Sequence, residues 1–152
     1  MTDSIEHDPV DEAGEDERVR RFWTVASERA KLATMPGYFG PSPLASVPPP
    51  TWSFGEDPAE SDRLLGVLLA GERDATAVPA AEYGEAPPVV GTLGIVLDGS
   101  GRPRALVSTR SVEVMAPHQV DVAGLIDAEA FPGAVGPDGQ VVVERLKVLY
   151  EE

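Results

Sequence analysis

The sequence predicts an α+β protein, two helices set against a small curved or barrel-like sheet of about five strands. Three observations carry that expectation. Apolar residues recur at helical steps in two places, from Val19 to Ala33 and from Leu64 to Leu69. Beyond Ala75 the apolar runs are short, rich in β-branched residues and broken by glycine turns. Proline and glycine, 15 of each in 152 residues, favour turns and loops over long helices.

The elements follow in order. Val19, Phe22, Trp23, Ala26, Ala30 and Ala33 give one apolar face to a helix over 15–33, with Arg18, Arg21, Arg29 and Lys31 on its other faces. "TMPGYFGPSPLASVPPP" has no period, so 34–51 reads as a loop held down through Tyr38, Phe39 and Leu44. The second helix is punctuated at both ends. Asp57 is placed as its N-cap, Pro58 in its first turn, and Glu60 three residues after the cap. Leu64, Leu65, Leu68 and Leu69 supply its apolar stripe, and Gly71 is placed to end it in a left-handed conformation. "ATAV" then reads as a strand, "TLGIVLDGSGRPRALVSTRSVEVM" as a hairpin, "HQVDVAGLIDAEAF" as a short helix or turn near Asp121, and "VVVERLKVLY" as a closing strand.

Composition narrows the function. With 42% hydrophobic and 25% charged residues, the chain can bury a core. One domain over 18–152 is the expectation, with 1–17 as a disordered acidic tail. Those first 17 residues hold eight carboxylates and no Lys or Arg, which leaves 18 acidic and 12 basic residues, a charge of −6, for the body. Duplex DNA is therefore a poor partner. No apolar run reaches the roughly 20 residues of a membrane span, the N-terminus does not read as a signal peptide, and cysteine is absent. These features fit a cytoplasmic protein. His7 lies in the tail and His118 stands alone, so neither a metal site nor a cofactor is expected.

"WSFGEDPAESDRLLGVLLAGERDATA", "GTLGIVLDGSGRPRALVSTRSVEV" and "VVVERLKVLY" together resemble the ASCH domain family of the PUA-like superfamily, over roughly Trp52 to Tyr150. The first stretch is similar to the family's Phe-Gly-Asp entry, leucine-rich helix, Gly-x-Lys turn and Ala-Thr strand. The resemblance implies a small β-barrel over 52–150 with flanking helices, a cleft beside the Gly71–Thr76 turn, and RNA or nucleotide-like ligands. It also admits hydrolysis of RNA or of acylated nucleosides without a metal. The sequence departs from the pattern at Arg73 for the family lysine, Asp74 for a threonine, Gly91-Thr92 for Gly-Asp, and Ser108 for an arginine of the hairpin.

Arg73 and Thr76, three residues apart, are the first site candidates. A guanidinium fits phosphate or carboxylate, and a threonine hydroxyl donates, accepts or, once activated, attacks. Either pair of roles competes with a bland one, an arginine paired with Glu72 or Asp74 and a β-favouring threonine. Trp52 and Phe54 stack on a base or pack above the helix, with Gly55 allowing close backbone approach or a turn. Arg102, Arg104 and Arg110 form a basic strip or solvated strand charges, and Arg110 is the one assigned to the cleft. The resemblance adds Glu129, or Asp127 beside it, as a carboxylate working with Thr76 and Arg73. Arginine stays charged and cannot take a proton from Thr76. The expected function is therefore a binding module for single-stranded RNA or a nucleotide-like small molecule, with Trp52, Phe54, Gly55, Arg73, Thr76 and Arg110 as ligand-binding residues. The alternatives are a hydrolase using Thr76, Arg73 and Glu129, and a protein-interaction module with a vestigial pocket.

Overall fold

The computed structural model describes residues 9–30, 47–83, 88–128, 131 and 139–152, with the backbone alone at 9–13. Tyr38, Phe39, Leu44, Glu129 and most of the proline-rich segment lie outside the described residues. The first helix, α1, spans Pro9–Arg29 and so begins before Glu15, inside the acidic segment. Proline is at home in a first helical turn, where its missing N–H has no partner to lose. Phe22, Trp23 and Ala26 on its apolar face pack against Ile95 and Leu106 of the sheet.

The second helix, α2, spans Pro58–Leu69. The Asp57 side chain accepts from the Glu60 amide at 2.8 Å, and the Glu60 carboxylate accepts from the Glu56 amide at 3.1 Å. At the other end the Gly71 amide donates to Leu68 O (3.0 Å) and the Glu72 amide to Val67 O (3.2 Å), with Gly71 at φ 75°. That paired closure needs the left-handed residue which glycine adopts without a steric penalty. Leu64, Leu65 and Leu68 are buried, each contributing about 1.5–3 kcal/mol of apolar transfer on the usual scale.

Five strands form one mixed sheet in the order β1-β3-β4-β5-β2. They are β1 (Thr51–Trp52), β2 (Ala75–Pro79), β3 (Leu93–Leu97), β4 (Pro103–Met115) and β5 (Val141–Glu151). Among these five strands the β1–β3 pair is parallel and the other three pairs are antiparallel. Successive side chains turn to opposite faces, so Val96, Ala105 and Val107 pack with α2 while Ile95 and Leu106 pack with α1. With a helix on each face, the strands at the centre are apolar on both sides.

The barrel expected from the resemblance is not closed among the described residues. β1 and β2 stand at opposite edges of the sheet, and a strand of two residues offers too short a ladder to join them. The edge at β2 is instead extended by a bridge from Ala75 to Leu125, with the Ile126 amide donating to Ala75 O at 2.8 Å. The segment before it forms two 3₁₀ turns, Pro117–Gln119 and Val122–Gly124, and Asp121 makes no side-chain cap.

The β3–β4 turn is built on Asp98. Its Oδ1 accepts from Ser100 N (2.9 Å), Ser100 Oγ (2.7 Å) and Arg102 N (3.1 Å). The turn is seated on the start of α2, where Gly99 N donates to Asp62 Oδ1 at 2.7 Å. A Cβ on Gly99 would stand 2.2 Å from Pro58 O, so no side chain fits that approach.

Candidate functional site

The face of the sheet that carries α2 bears large apolar residues under the helix and small or polar ones beyond it. Along β3 the inward positions run from Val96 to Gly94, along β4 from Val107 to Thr109, and along β5 from Leu146 to Glu144. The change leaves a cavity of about 590 Å³ beside α2. That volume is in the ordinary range for a small-molecule pocket, roughly 300–1,000 Å³.

Trp52 and Phe54 wall one side. Their rings meet edge to face, 4.9 Å apart at 89°. Phe54 is buried, and its carbonyl accepts from the buried Ser61 hydroxyl of α2. A Cβ at Gly94 would come within 2.7 Å of Trp52 Nε1, so the glycine leaves room for the indole. Gly55, at φ 73°, lines the same wall. A side chain here would be strained by the left-handed backbone, and the Glu60 side chain would have to move to make room for it.

The polar part of the lining includes Ser53, Thr76, Tyr83, Thr92, Thr109 and Glu144, with Glu82 at an exposed position and Asp127 half-buried. Thr76 and Glu144 are direct partners across β2 and β5. The Thr109 hydroxyl donates to Glu144 Oε2 at 2.5 Å. Tyr83 is held above its ordinary pKa of 10.0, first by burial and then by the negative charges of Glu144 and Glu82. Among the described residues that line the cavity there is no Lys, Arg or His.

The expected site residues therefore divide. Trp52, Phe54, Gly55 and Thr76 line the cavity, as does Asp127. Arg73 lines a separate shallow depression with Glu72, Asp74 and Glu151, and its Nη1 donates to Leu125 O at 3.3 Å. Arg110 is exposed and pairs with Asp74 at 3.0 Å, and Arg145 reaches the other oxygen of the same carboxylate at 2.9 Å. Glu129 lies outside the described residues. Sequence reasoning passed over Glu144, Tyr83, Thr109 and Glu82. Glu144 did leave a signal: with Val142 and Leu146 it occupies one parity of an apolar strand, which marks a carboxylate pointing inward. Tyr83 left none, since it follows β2 in a 3₁₀ turn, Ala80–Tyr83.

Chemically the cavity is rich in acceptors. Glu144, Glu82 and Asp127 offer carboxylate oxygens, and the threonine hydroxyls add lone pairs. Among the described residues no group of three or more His, Cys, Asp or Glu is placed to hold a metal ion. Among them, too, no helix is long and apolar enough to cross a membrane.

A family model described as the ASCH domain matches residues 50–129. The fold is similar to a crystal structure of an ASCH domain from Lactobacillus crispatus JV V101, at 22% identity and a TM-score of 0.66, covering 89% of this chain and 96% of that one. It is also similar to a crystal structure of a protein from Enterococcus faecalis V583, at 22% identity and a TM-score of 0.63, covering 87% of this chain and 92% of that one. No curated protein matches the chain.

Proposed function

The chain belongs to the ASCH domain family, and from that premise we propose that it binds a single nucleobase, free as a nucleoside or carried in single-stranded RNA, in the cavity between Trp52 and Glu144. One observation carries the reading: an aromatic wall faces a lining rich in acceptors and free of cationic side chains. A nucleobase brings a flat apolar body, ring N–H groups and an exocyclic amine. Aromatic contact with a base is worth about 1–3 kcal/mol. Bases of a single strand can be splayed out of the stack and read on their edges, whereas those of a duplex are already paired.

The hydrolase alternative has one observation in its favour. Glu144 stands opposite Thr76, and a carboxylate there supplies the base that Arg73 cannot be. Against it stands the position of Arg73, outside the cavity and bonded to Leu125 O. Acyl transfer needs donors aimed at the oxyanion that develops, and among the described lining residues no cationic side chain supplies one. Binding without turnover is the better-supported function.

Calorimetric titration of the full chain with the four nucleosides and with short single-stranded oligonucleotides tests this. Binding should require a single exposed base, and Trp52→Ala should weaken it by roughly tenfold, the scale of one lost stacking contact. Tight binding to double-stranded DNA that grows with length, or efficient release of acetate from an acylated cytidine that Thr76→Ala abolishes, would overturn the reading.

A further inference from the structure

We infer that the cavity selects a positively charged heteroaromatic ring, such as a nucleobase alkylated on a ring nitrogen, over the neutral parent base. The inference rests on the nucleobase reading above and adds the charge of the ligand to it. Its basis is the contrast between what surrounds Glu144 and what a half-buried carboxylate ordinarily has. Removing a carboxylate from water is costly unless a counter-charge or several donors replace the lost hydration. Glu144 has one donor among the described residues, the Thr109 hydroxyl, and no ion pair. Glu82, at an exposed position on the same lining, has no ion pair among those residues either.

The guanidinium groups nearest in sequence are turned elsewhere. Arg145 follows Glu144 in β5, so the pleat sends it to the other face, where it pairs with Asp74. Arg110 follows Thr109 and pairs with the same carboxylate. Arg73 is held on Leu125 O. The Tyr83 hydroxyl resists ionisation first through burial and then through the negative charges of Glu144 and Glu82.

A neutral base entering this cavity would strip water from Glu144 and return N–H donors but no counter-charge. A cationic base supplies the missing counter-charge within the ring. Trp52, Tyr83 and Phe131 also line the space, and aromatic rings attract cations through their quadrupole. A phosphate finds no cationic partner in the lining, so a nucleotide would have to leave its phosphate outside. The ligand class is therefore a nucleoside, or one internal nucleotide of a single strand, whose base carries a fixed positive charge.

Titration of the full chain with 1-methyladenosine and 3-methylcytidine, both cationic at neutral pH, against adenosine, cytidine and the neutral N6-methyladenosine separates the effect of charge from that of the methyl group. The cationic nucleosides should bind about tenfold more tightly than their parents, the scale of a desolvated cation on an aromatic and acidic wall. Glu144→Gln should shrink that ratio to within about threefold, and Glu82→Gln, at an exposed position, should shrink it less. Equal affinity for cationic and parent nucleosides, or N6-methyladenosine matching 1-methyladenosine, overturns the charge selectivity and leaves the nucleobase reading standing. A ratio unmoved by either substitution also overturns it. If no nucleoside of either charge binds, the nucleobase reading falls and this inference falls with it.

Discussion

Asp98 and Asp74 are surrounded by donors, whereas Glu144 and Glu82 are nearly without them. Asp98 takes three hydrogen bonds on one oxygen and has Arg104 at 3.6 Å from the other. Asp74 is shared between Arg110 and Arg145, and its backbone carbonyl accepts from Leu146 N at 2.8 Å. These two carboxylates fasten chain segments together. Glu144 and Glu82 fasten little and line a cavity. A carboxylate with saturated partners contributes to folding, while one left short of partners is available to a ligand.

The largest effect on stability should come from Asp98. Burial acts to raise its pKa, but hydrogen bonds from the Ser100 side chain, the Arg102 and Ser100 amides and Arg104 together hold it below its ordinary 3.8. A carboxylate whose folded pKa is depressed stabilises the fold fully above the unfolded value, and that contribution is lost as pH falls through the folded value. Asp98→Ala should therefore cost about 1.5–3 kcal/mol at neutral pH, the worth of hydrogen bonds to a charged group. The gap from wild type should close as pH drops below 3.8, as read by urea midpoints across a pH series. A gap independent of pH would mean that the turn does not depend on the ionised form.

Asp74→Ala should cost less, about 0.5–1 kcal/mol, because its arginine partners are largely solvated. The loss should shrink in high salt, which thermal melts at two ionic strengths would show. Glu144→Gln should alter stability least, within about 0.5 kcal/mol, since an amide oxygen still accepts from Thr109. A loss as large as that at Asp98 would break the division between fastening and cavity-lining carboxylates.

The finest test is spectroscopic. Tyr83 should ionise above 10.0 in the folded chain, and Glu144→Gln should bring that transition down by removing one of the charges that oppose it. Ultraviolet difference titration against Tyr83→Phe isolates the signal from the other tyrosines. A transition unmoved by the substitution would leave burial and Glu82 as its causes.

The parts of the site legible in the sequence were those with a local cause. Trp52, Phe54 and Gly55 precede an N-cap that fixes where the chain must turn, and Thr76 lies at the start of a strand that follows the Gly71 turn. Arg73 was read as a cleft residue because it stands three positions from Thr76. Spacing along a strand fixes Cα separation but not the reach of a long side chain. In the fold Arg73 stretches to Leu125, more than fifty positions away in sequence. Arg110 was read from strand parity, and β4 shifts register against β5 between Thr109 and Ser111, where parity no longer predicts a neighbour.

By itself the sequence determined α2, both of its caps and the β3–β4 hairpin, because each depends on backbone geometry and periodicity within a few residues. Tertiary structure alone decided that α1 and α2 occupy opposite faces, that among the described residues the sheet ends in two edges instead of closing, and that Arg73, Arg110 and Arg145 bond to partners outside the cavity. Those outcomes depend on which strand pairs with which and in what register, and pairing is settled by contacts between segments far apart in the chain. The charge of the cavity is such an outcome. Thr109, Thr76 and Glu144 are distant in sequence, and only the ladders β4–β5 and β5–β2 bring them to one wall.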